Sequence, residues 1–456
     1  MVFGRAAPFW SLVFGLWSLG RFLVFGTLRF GLWDGLRPLV LPQRLASTAY
    51  SFAPSSLLVF RALLRRLLVF GALRFWCCRS DLLLRRTPWG FGDVTASFWR
   101  LDSSGWLQLK LQVHCLSRMH RTDAFNFLRK LTLRRLWNMT KVYSSFQLTK
   151  LLNKPIQWGL PITVAIEPTT ACNLRCPECP SGLRAFTRET GNLAPDFFRK
   201  VMNEIGRDIN YLIFYFQGEP YINPDFLEMV RYASAKGIYT ITSTNGHFLT
   251  EKNARETIES GLDRIVISID GTTQEVYEQY RKTGTLETVL AGARNIVHWK
   301  KALKSKTPHI VFQYLVVRPN EHQIDDAKRL AQEIGVDEIK FKTAQVYDYK
   351  NGNPLIPTID KYSRYRKNKI GEYELKNELS NHCWRLWHSP VITWNGLVVP
   401  CCFDKDASHQ LGDLSKISFQ DIWQNDDYQA FRLQIIKGRD QIDICRNCSE
   451  GGKVWG

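Results

Sequence analysis

From residue 162 the chain alternates short apolar, β-prone runs with longer amphipathic ones. ITVAIEP (162–168), YLIFYFQGEP (211–220), IYTITSTNG (238–246), RIVISIDG (264–271), IVFQYLVV (310–317) and EIKFKT (338–343) read as strands. Between them, DFFRKVMNEIG, DFLEMVRYASAKG, EKNARETIESG and DDAKRLAQEIG place apolar residues at helical spacing, and each ends on a Gly where a helix C-cap would sit. Repeated βα units predict an α/β fold built on a parallel sheet with helices outside it. Six units are two short of a closed eight-fold barrel, so the expectation is a partial (β/α)6, TIM-like barrel over residues 161–345. In such sheets ligands bind at the C-terminal ends of the strands.

Upstream, residues 119–160 set Phe125, Leu128, Leu131, Leu136 and Trp137 at helical spacing among Arg129, Lys130, Arg134 and Arg135. These are basic amphipathic leader helices. They can lie on a membrane surface or on RNA, or pack on the next domain with a solvated basic face, and the last is the favoured reading. Downstream, 346–380 reads as a linker and 381–456 as a small α+β unit, in which SPVITWNGLVVPCC (389–402) forms a hairpin with Asn-Gly at its turn.

Composition changes the picture at the N-terminal end. Residues 1–118 contain no Ile, Asn or Glu, hold fourteen Arg and one Lys against four Asp, and repeat LVFG three times. The whole chain of 456 residues carries +19, and +11 of that lies in this segment. Its uncharged runs (6–20 and 45–60) are shorter than the roughly 18 apolar residues of a membrane span. No small-residue cleavage site marks a secretory signal. The expectation is translated upstream sequence with the natural start at Met119, and no fold.

Eleven cysteines fall into three groups, of which Cys77, Cys78 and Cys115 belong to that first segment. Clustering at short spacings in so large a chain suggests metal ligation in a reducing cytoplasm rather than disulfides. At the end of the first strand, ACNLRCPECP places Cys172, Cys176 and Cys179 in C-x3-C-x2-C spacing. Three thiolates can hold three irons of a cubane cluster and leave the fourth iron open; a partial zinc site or buried structural thiols are the alternatives. The same rim collects Gly218 and Glu219, then Ser243 and Asn245, then Ser268 and Asp270. Glu219 is suited to accept hydrogen bonds from an amine, and Ser268 and Asp270 to bind ribose hydroxyls.

Together these residues resemble the radical S-adenosylmethionine enzymes over about residues 162–345. The resemblance implies that Cys172, Cys176 and Cys179 bind a 4Fe-4S cluster whose open iron takes S-adenosylmethionine. Reductive cleavage would then give a 5′-deoxyadenosyl radical that abstracts a substrate hydrogen. Two departures stand out: Glu178 replaces the usual aromatic before the last cysteine, and Gln217 opens what is usually Gly-Gly-Glu.

Near the C-terminus, Cys383 precedes Gly396-x4-Cys401 and a Cys445-x2-Cys448 pair. This is similar to the SPASM/Twitch extension of the same family, which implies one auxiliary 4Fe-4S cluster on Cys383, Cys401, Cys445 and Cys448. Structural zinc would satisfy the same four thiolates. Cys402, adjacent on a strand, points away from Cys401 and reads as a buried small residue. Asp404 can accept a proton from substrate or hold a turn. His382 and His388 read as packing residues, the Trp-rich stretch from 384 to 394 as shielding or a pocket wall, and Arg184, Arg188 and Arg281 as surface residues or anion contacts.

The expected function is a cytoplasmic radical enzyme acting on a peptide or protein side chain, or on a small metabolite or sugar. Its electron donor would be of the flavodoxin or ferredoxin kind. Nucleic acid is not expected as a partner, and membrane contact is left open. The rival is a zinc-stabilised basic protein that binds nucleic acid or a membrane surface without catalysis, supported by the net charge.

Overall fold

The structure, a computed structural model, describes residues 120–452 and 454. The expectations for residues 1–118 and for a start at Met119 lie outside the described residues.

Six parallel strands form the frame: β1 (Thr163–Ile166), β2 (Tyr211–Ile213), β3 (Tyr239–Thr244), β4 (Arg264–Ser268), β5 (His309–Val316) and β6 (Glu338–Thr343). They pair in sequence order, as right-handed βα crossovers dictate. The second run is strand for only three residues. Phe214 N still donates to Ile241 O of β3, and the chain then forms the Gly218–Glu219 turn, whose backbone is tied to the cysteine loop.

Helices cover the outer face. In Pro195–Ile205 the buried residues are Phe198, Val201, Met202 and Ile205, the i, i+3, i+4, i+7 stripe of an amphipathic helix. Each such buried side chain contributes about 1.5–3 kcal/mol. Of the four glycines expected to end helices, Gly237, Gly261 and Gly335 have positive φ, but Gly206 stays right-handed at φ −63°. Its helix ends by running on into a turn, with Asp208 and Ile209 both donating to the Ile205 carbonyl.

Inside the barrel, Ile241, Val266 and Val311 form an apolar plug with Tyr211, Ile213 and Tyr215. Ser243 and Ser268 lie two residues beyond Ile241 and Val266, so the strand period puts them on the same inward face, toward the C-terminal rim.

The segment 346–380 contains a two-stranded hairpin, β7 (Tyr365–Lys367) and β8 (Tyr373–Leu375). Tyr365 packs with Val346, Ile356, Leu174 and Cys176, so this segment covers the cysteine loop. Farther on, β9 (Val391–Ile392) pairs parallel with β1, β10 (Leu397–Val399) returns antiparallel to β9, and β11 (Gly412–Asp413) follows at the edge. The expected Asn-Gly hairpin therefore extends the barrel sheet to nine strands.

At the opposite end of the barrel, helices α1 (Arg121–Arg129) and α2 (Leu133–Leu152) cover the N-terminal ends of the strands. Asp123 accepts from Tyr239 Oη and from Arg264, and Lys130 donates to Asp263 Oδ2 at 2.5 Å. The buried Arg135 guanidinium donates to the carbonyls of Gly237, Gly206 and Lys236.

Candidate cofactor sites

The cysteine loop and the turn after β2 are stitched into one unit. Glu219 N donates to Ala171 O at 2.7 Å and Gly218 N to Ser181 Oγ at 2.8 Å. Gly218 has φ +74°, and a Cβ there would stand 2.3 Å from Thr169 O. No side chain fits at that approach, which explains why a Gly precedes the Glu.

Glu219 is 2% exposed. Its Oε1 accepts from Thr244 Oγ1 at 2.8 Å and from Tyr221 N at 3.3 Å, and its Oε2 from Asn245 N at 2.7 Å. Burial outweighs these bonds and pushes the carboxyl up to about 7. Asn245 Nδ2 reaches Asn173 Oδ1 at 2.7 Å and lies 3.9 Å from Cys172 Sγ. Thus Cys172, Glu219 and Asn245, from three strand ends, meet at one place. Burial raises the Cys176 thiol and pushes Cys172 up to about 11.

Asp270, expected on ribose, is fully buried with both oxygens engaged inside the protein. Oδ2 accepts from Arg281 Nε at 2.5 Å and Oδ1 from Leu315 N at 2.7 Å. Arg281 in turn places Nη1 3.8 Å from Cys176 Sγ. Arg188 is likewise an internal residue: it holds the buried Glu167 through two bonds of 2.9 and 2.6 Å. Arg184 stays exposed and donates to Cys172 O. Glu178 accepts from Tyr347 N at 2.9 Å, a contact that ties the cysteine loop to the 346–380 segment.

The second site lies on the far side of β1. Cys383, Cys401, Cys445 and Cys448 line one cavity whose other walls include Leu386, Pro400, Phe403, Phe431 and Ile435. Burial pushes Cys445 up to about 11 and Cys448 up to about 12, and Cys401 rises well above the usual thiol range. Arg439, 1% exposed, donates from Nη2 to Cys448 Sγ at 3.2 Å and to Glu450 O at 2.7 Å. Gly451, at φ +79°, lies so close that a Cβ would stand 2.5 Å from Cys383 Sγ. Four thiols and no oxygen or nitrogen donor, set among apolar walls with a buried guanidinium, form a donor set that fits an iron–sulfur cluster. Thiolates alone also suit zinc. Among the described residues, no three His, Cys, Asp or Glu side chains converge as a single bound ion requires.

Cys402 packs with Ala165, Val391, Val399 and Ala407 and is not among the residues lining this cavity. Asp404 is buried, and its two oxygens accept from Ser408 N and His409 N at 2.7 and 2.9 Å. A carboxylate spent on capping a turn is poorly placed to take a proton from substrate. His388 is half-buried and bonded to Trp384 O, while Trp384 and Trp387 pack on Phe146 of α2. The two sites are joined by loop contacts: Arg188 Nε donates to Lys405 O at 3.3 Å and Thr187 N to Asp406 Oδ1 at 2.9 Å.

Sequence pattern points to Arg281 only as a surface residue or anion contact, and does not mark Arg439, Thr244 or Gly451 as site residues. Arg281 had a faint signal, a basic residue closing the helix after the fourth strand. Arg439 and Gly451 had none beyond closeness to the Cys445–Cys448 pair.

Comparison with known proteins agrees with this arrangement. Residues 166–331 match the model of the radical SAM superfamily, and residues 383–449 that of the iron-sulfur cluster-binding domain SPASM. The chain is 27% identical over 317 residues to the tungsten-containing aldehyde ferredoxin oxidoreductase cofactor-modifying protein of Pyrococcus furiosus, covering 62% of this chain and 86% of that protein. It is 30% identical over 210 residues to the PqqA peptide cyclase of Bradyrhizobium diazoefficiens, covering 44% of this chain and 52% of the cyclase. The chain thus spans about half the length of that cyclase. Among solved structures, Streptococcus suis SuiB bound to S-adenosylmethionine is similar at 14% identity, covering 67% of this chain and 74% of SuiB, with a TM-score of 0.49. BtrN in complex with AdoMet and 2-DOIA aligns at 19% identity, covering 65% of this chain and 95% of BtrN, with a TM-score of 0.40.

Proposed function

The chain belongs to the radical SAM superfamily and carries a C-terminal SPASM-type iron–sulfur domain, and from that premise we propose that it modifies a side chain of a peptide or protein by radical chemistry. It is an enzyme whose family uses a 4Fe-4S cluster, S-adenosylmethionine and auxiliary iron–sulfur chemistry. When bound, these groups would supply one-electron reductive cleavage of the sulfonium, with the electron coming from an external donor, and hydrogen-atom abstraction from substrate.

In this reading the residues divide the work as follows. Cys172, Cys176 and Cys179 hold the first cluster, and Cys383, Cys401, Cys445 and Cys448 hold a single auxiliary one. Glu219 accepts from the amine of S-adenosylmethionine, with Gly218 giving the close approach that brings it beside the cysteine loop. Ser243, Asn245 and Ser268 line the rim where a nucleoside would lie. Asp270 positions Arg281 beside Cys176, and Asp404 fixes the loop after Cys401. The segment around Tyr365 covers the cysteine loop, and Lys405 and Asp406 tie the loop after Cys401 to Arg188 and Thr187.

The observation that carries the reading is the meeting of Glu219, Asn245 and Cys172 at the C-terminal rim. A peptide substrate is supported by the similarity to the PqqA peptide cyclase. An electron donor of the flavodoxin or ferredoxin kind and a cytoplasmic setting suit a chain whose eight described cysteines are all free thiols.

The test is anaerobic reconstitution with iron and sulfide, then reduction with S-adenosylmethionine present. The expected result is about eight irons per chain, two cubane clusters, and 5′-deoxyadenosine in the product mixture. Zinc in place of iron, or no nucleoside product, overturns the reading.

A further inference from the structure

We propose that helices α1 and α2 dock this enzyme on an anionic lipid surface. Seven large apolar side chains on these helices are exposed: Phe125, Leu128, Leu133 (86%), Leu136, Trp137 (64%), Leu151 and Leu152. Phe125 and Leu128 are three apart, as are Leu133 and Leu136, with Trp137 next, so each helix presents an apolar stripe. The inward faces are fixed by the barrel through Asp123, Lys130, Arg135, Val142 and Phe146. The stripes are therefore held outward by the packing of the rest of the helix.

Charge selects the occupant. Residues 120–160 hold eight Lys and Arg against one Asp. The barrel engages Asp123 and the cations Lys130, Arg134 and Arg135, which leaves Arg121, Arg129, Lys150 and Lys154 exposed. Arg129 lies 5.7 Å over the Phe125 ring, at the edge of the stripe. A second copy meeting this face would set like charges against each other, and residues 1–118 carry +11 and meet the same objection. Nucleic acid would answer the cations but not five exposed leucines. An anionic bilayer answers both, with Trp, Phe and Leu entering the headgroup boundary and Arg meeting lipid phosphates.

Among the described residues no helix is long and apolar enough to cross a membrane, so the contact is a surface one. The two helices cover the N-terminal ends of β3, β4 and β5, opposite the rim of Cys172, Glu219 and Asn245. Docking there places the membrane on the side of the barrel away from that rim.

The experiment is flotation of the full chain with phosphatidylcholine vesicles, with and without phosphatidylglycerol. The expected result is binding only to the anionic vesicles, weakened by salt. Leu133→Glu with Trp137→Glu should abolish it, and Arg121→Gln with Arg129→Gln should weaken it about fivefold per cation removed. Thermal melts check folding; if the glutamate pair fails to fold, the glutamine pair decides alone. Equal binding to neutral vesicles, binding unchanged in the variants, or no binding overturns the proposal. So does dimerisation, or nucleic-acid binding, that is lost in the variants without vesicle binding.

Discussion

Arg439 and Cys448 are joined by a hydrogen bond of 3.2 Å from Nη2 to Sγ, made by a guanidinium that water barely reaches. Among the described residues no carboxylate is bonded to Arg439; the other partners of its guanidinium are the Glu450 and Ser380 carbonyls. A buried cation without an acidic partner is costly unless negative charge arrives. Four thiolates around a cluster deliver that charge.

Arg439→Gln should therefore keep the iron but move the auxiliary midpoint downward, because a charge-assisted bond to a ligand sulfur favours the more negative, reduced state. Such a bond is worth about 1.5 kcal/mol, which corresponds to roughly 60 mV for one electron. Potentiometric titration followed by electron paramagnetic resonance checks it. An unchanged auxiliary midpoint would remove the assigned role.

Gly451→Ala tests the same site by shape alone. The added Cβ would fall 2.5 Å from Cys383 Sγ at a φ of +79°, so either the tail or the cysteine must move. About four irons per chain should be lost while 5′-deoxyadenosine formation continues without substrate conversion. The parallel pair is Cys176→Ala, expected to abolish cleavage, and Cys448→Ala, expected to leave some uncoupled cleavage. Equal abolition by both cysteine variants would argue against separate roles.

Glu219 gives a pH dependence with a defined sign. Its folded carboxyl is raised by burial to about 7, above an ordinary value of 4.5. The cofactor-free protein then binds more protons than its unfolded chain between those values. The contribution to stability is full below about 4.5 and is lost as pH rises through 7, about 3 kcal/mol in all. S-adenosylmethionine binding should run the other way, tightening as the carboxylate forms. Calorimetry from pH 6 to 8 should show this rise, and Glu219→Gln should flatten it and weaken binding about tenfold or more. A wild-type profile flat across that range would contradict the role.

Sequence pattern made the six βα units, the cysteine spacing and the Gly218–Glu219 turn readable, because each is a local signal. The alternation of ITVAIEP or RIVISIDG fixes a strand without help from distant residues. What pattern could not supply was the occupation of each side chain. Asp270 and Glu219 both follow strands on one rim, and both carboxyls are bonded inside the protein, Asp270 by Arg281 and the Leu315 amide and Glu219 by Thr244, Tyr221 and Asn245. Arg188 read as a loop residue until β1 and the loop after Pro180 brought it onto Glu167. The second strand was read too long because its apolar run continues past Ile213, where close packing of Gly218 on Thr169 turns the chain out of the sheet.

The Glu167–Arg188 pair carries the last prediction. Glu167 directly follows β1 and is fully buried, and it also accepts from Trp394 N at 3.2 Å, linking the barrel to the β9–β10 hairpin. Removing one partner leaves an uncompensated buried charge, so Glu167→Ala and Arg188→Ala should each cost about 3–5 kcal/mol. Replacing both by apolar residues of similar volume, Glu167→Leu with Arg188→Met, should recover most of that loss, because neither charge then needs desolvating alone. Denaturant unfolding of the wild type, the two single variants and the double variant checks this. A strongly destabilised double variant would show that the bond to Trp394, not the ion pair, sets the cost.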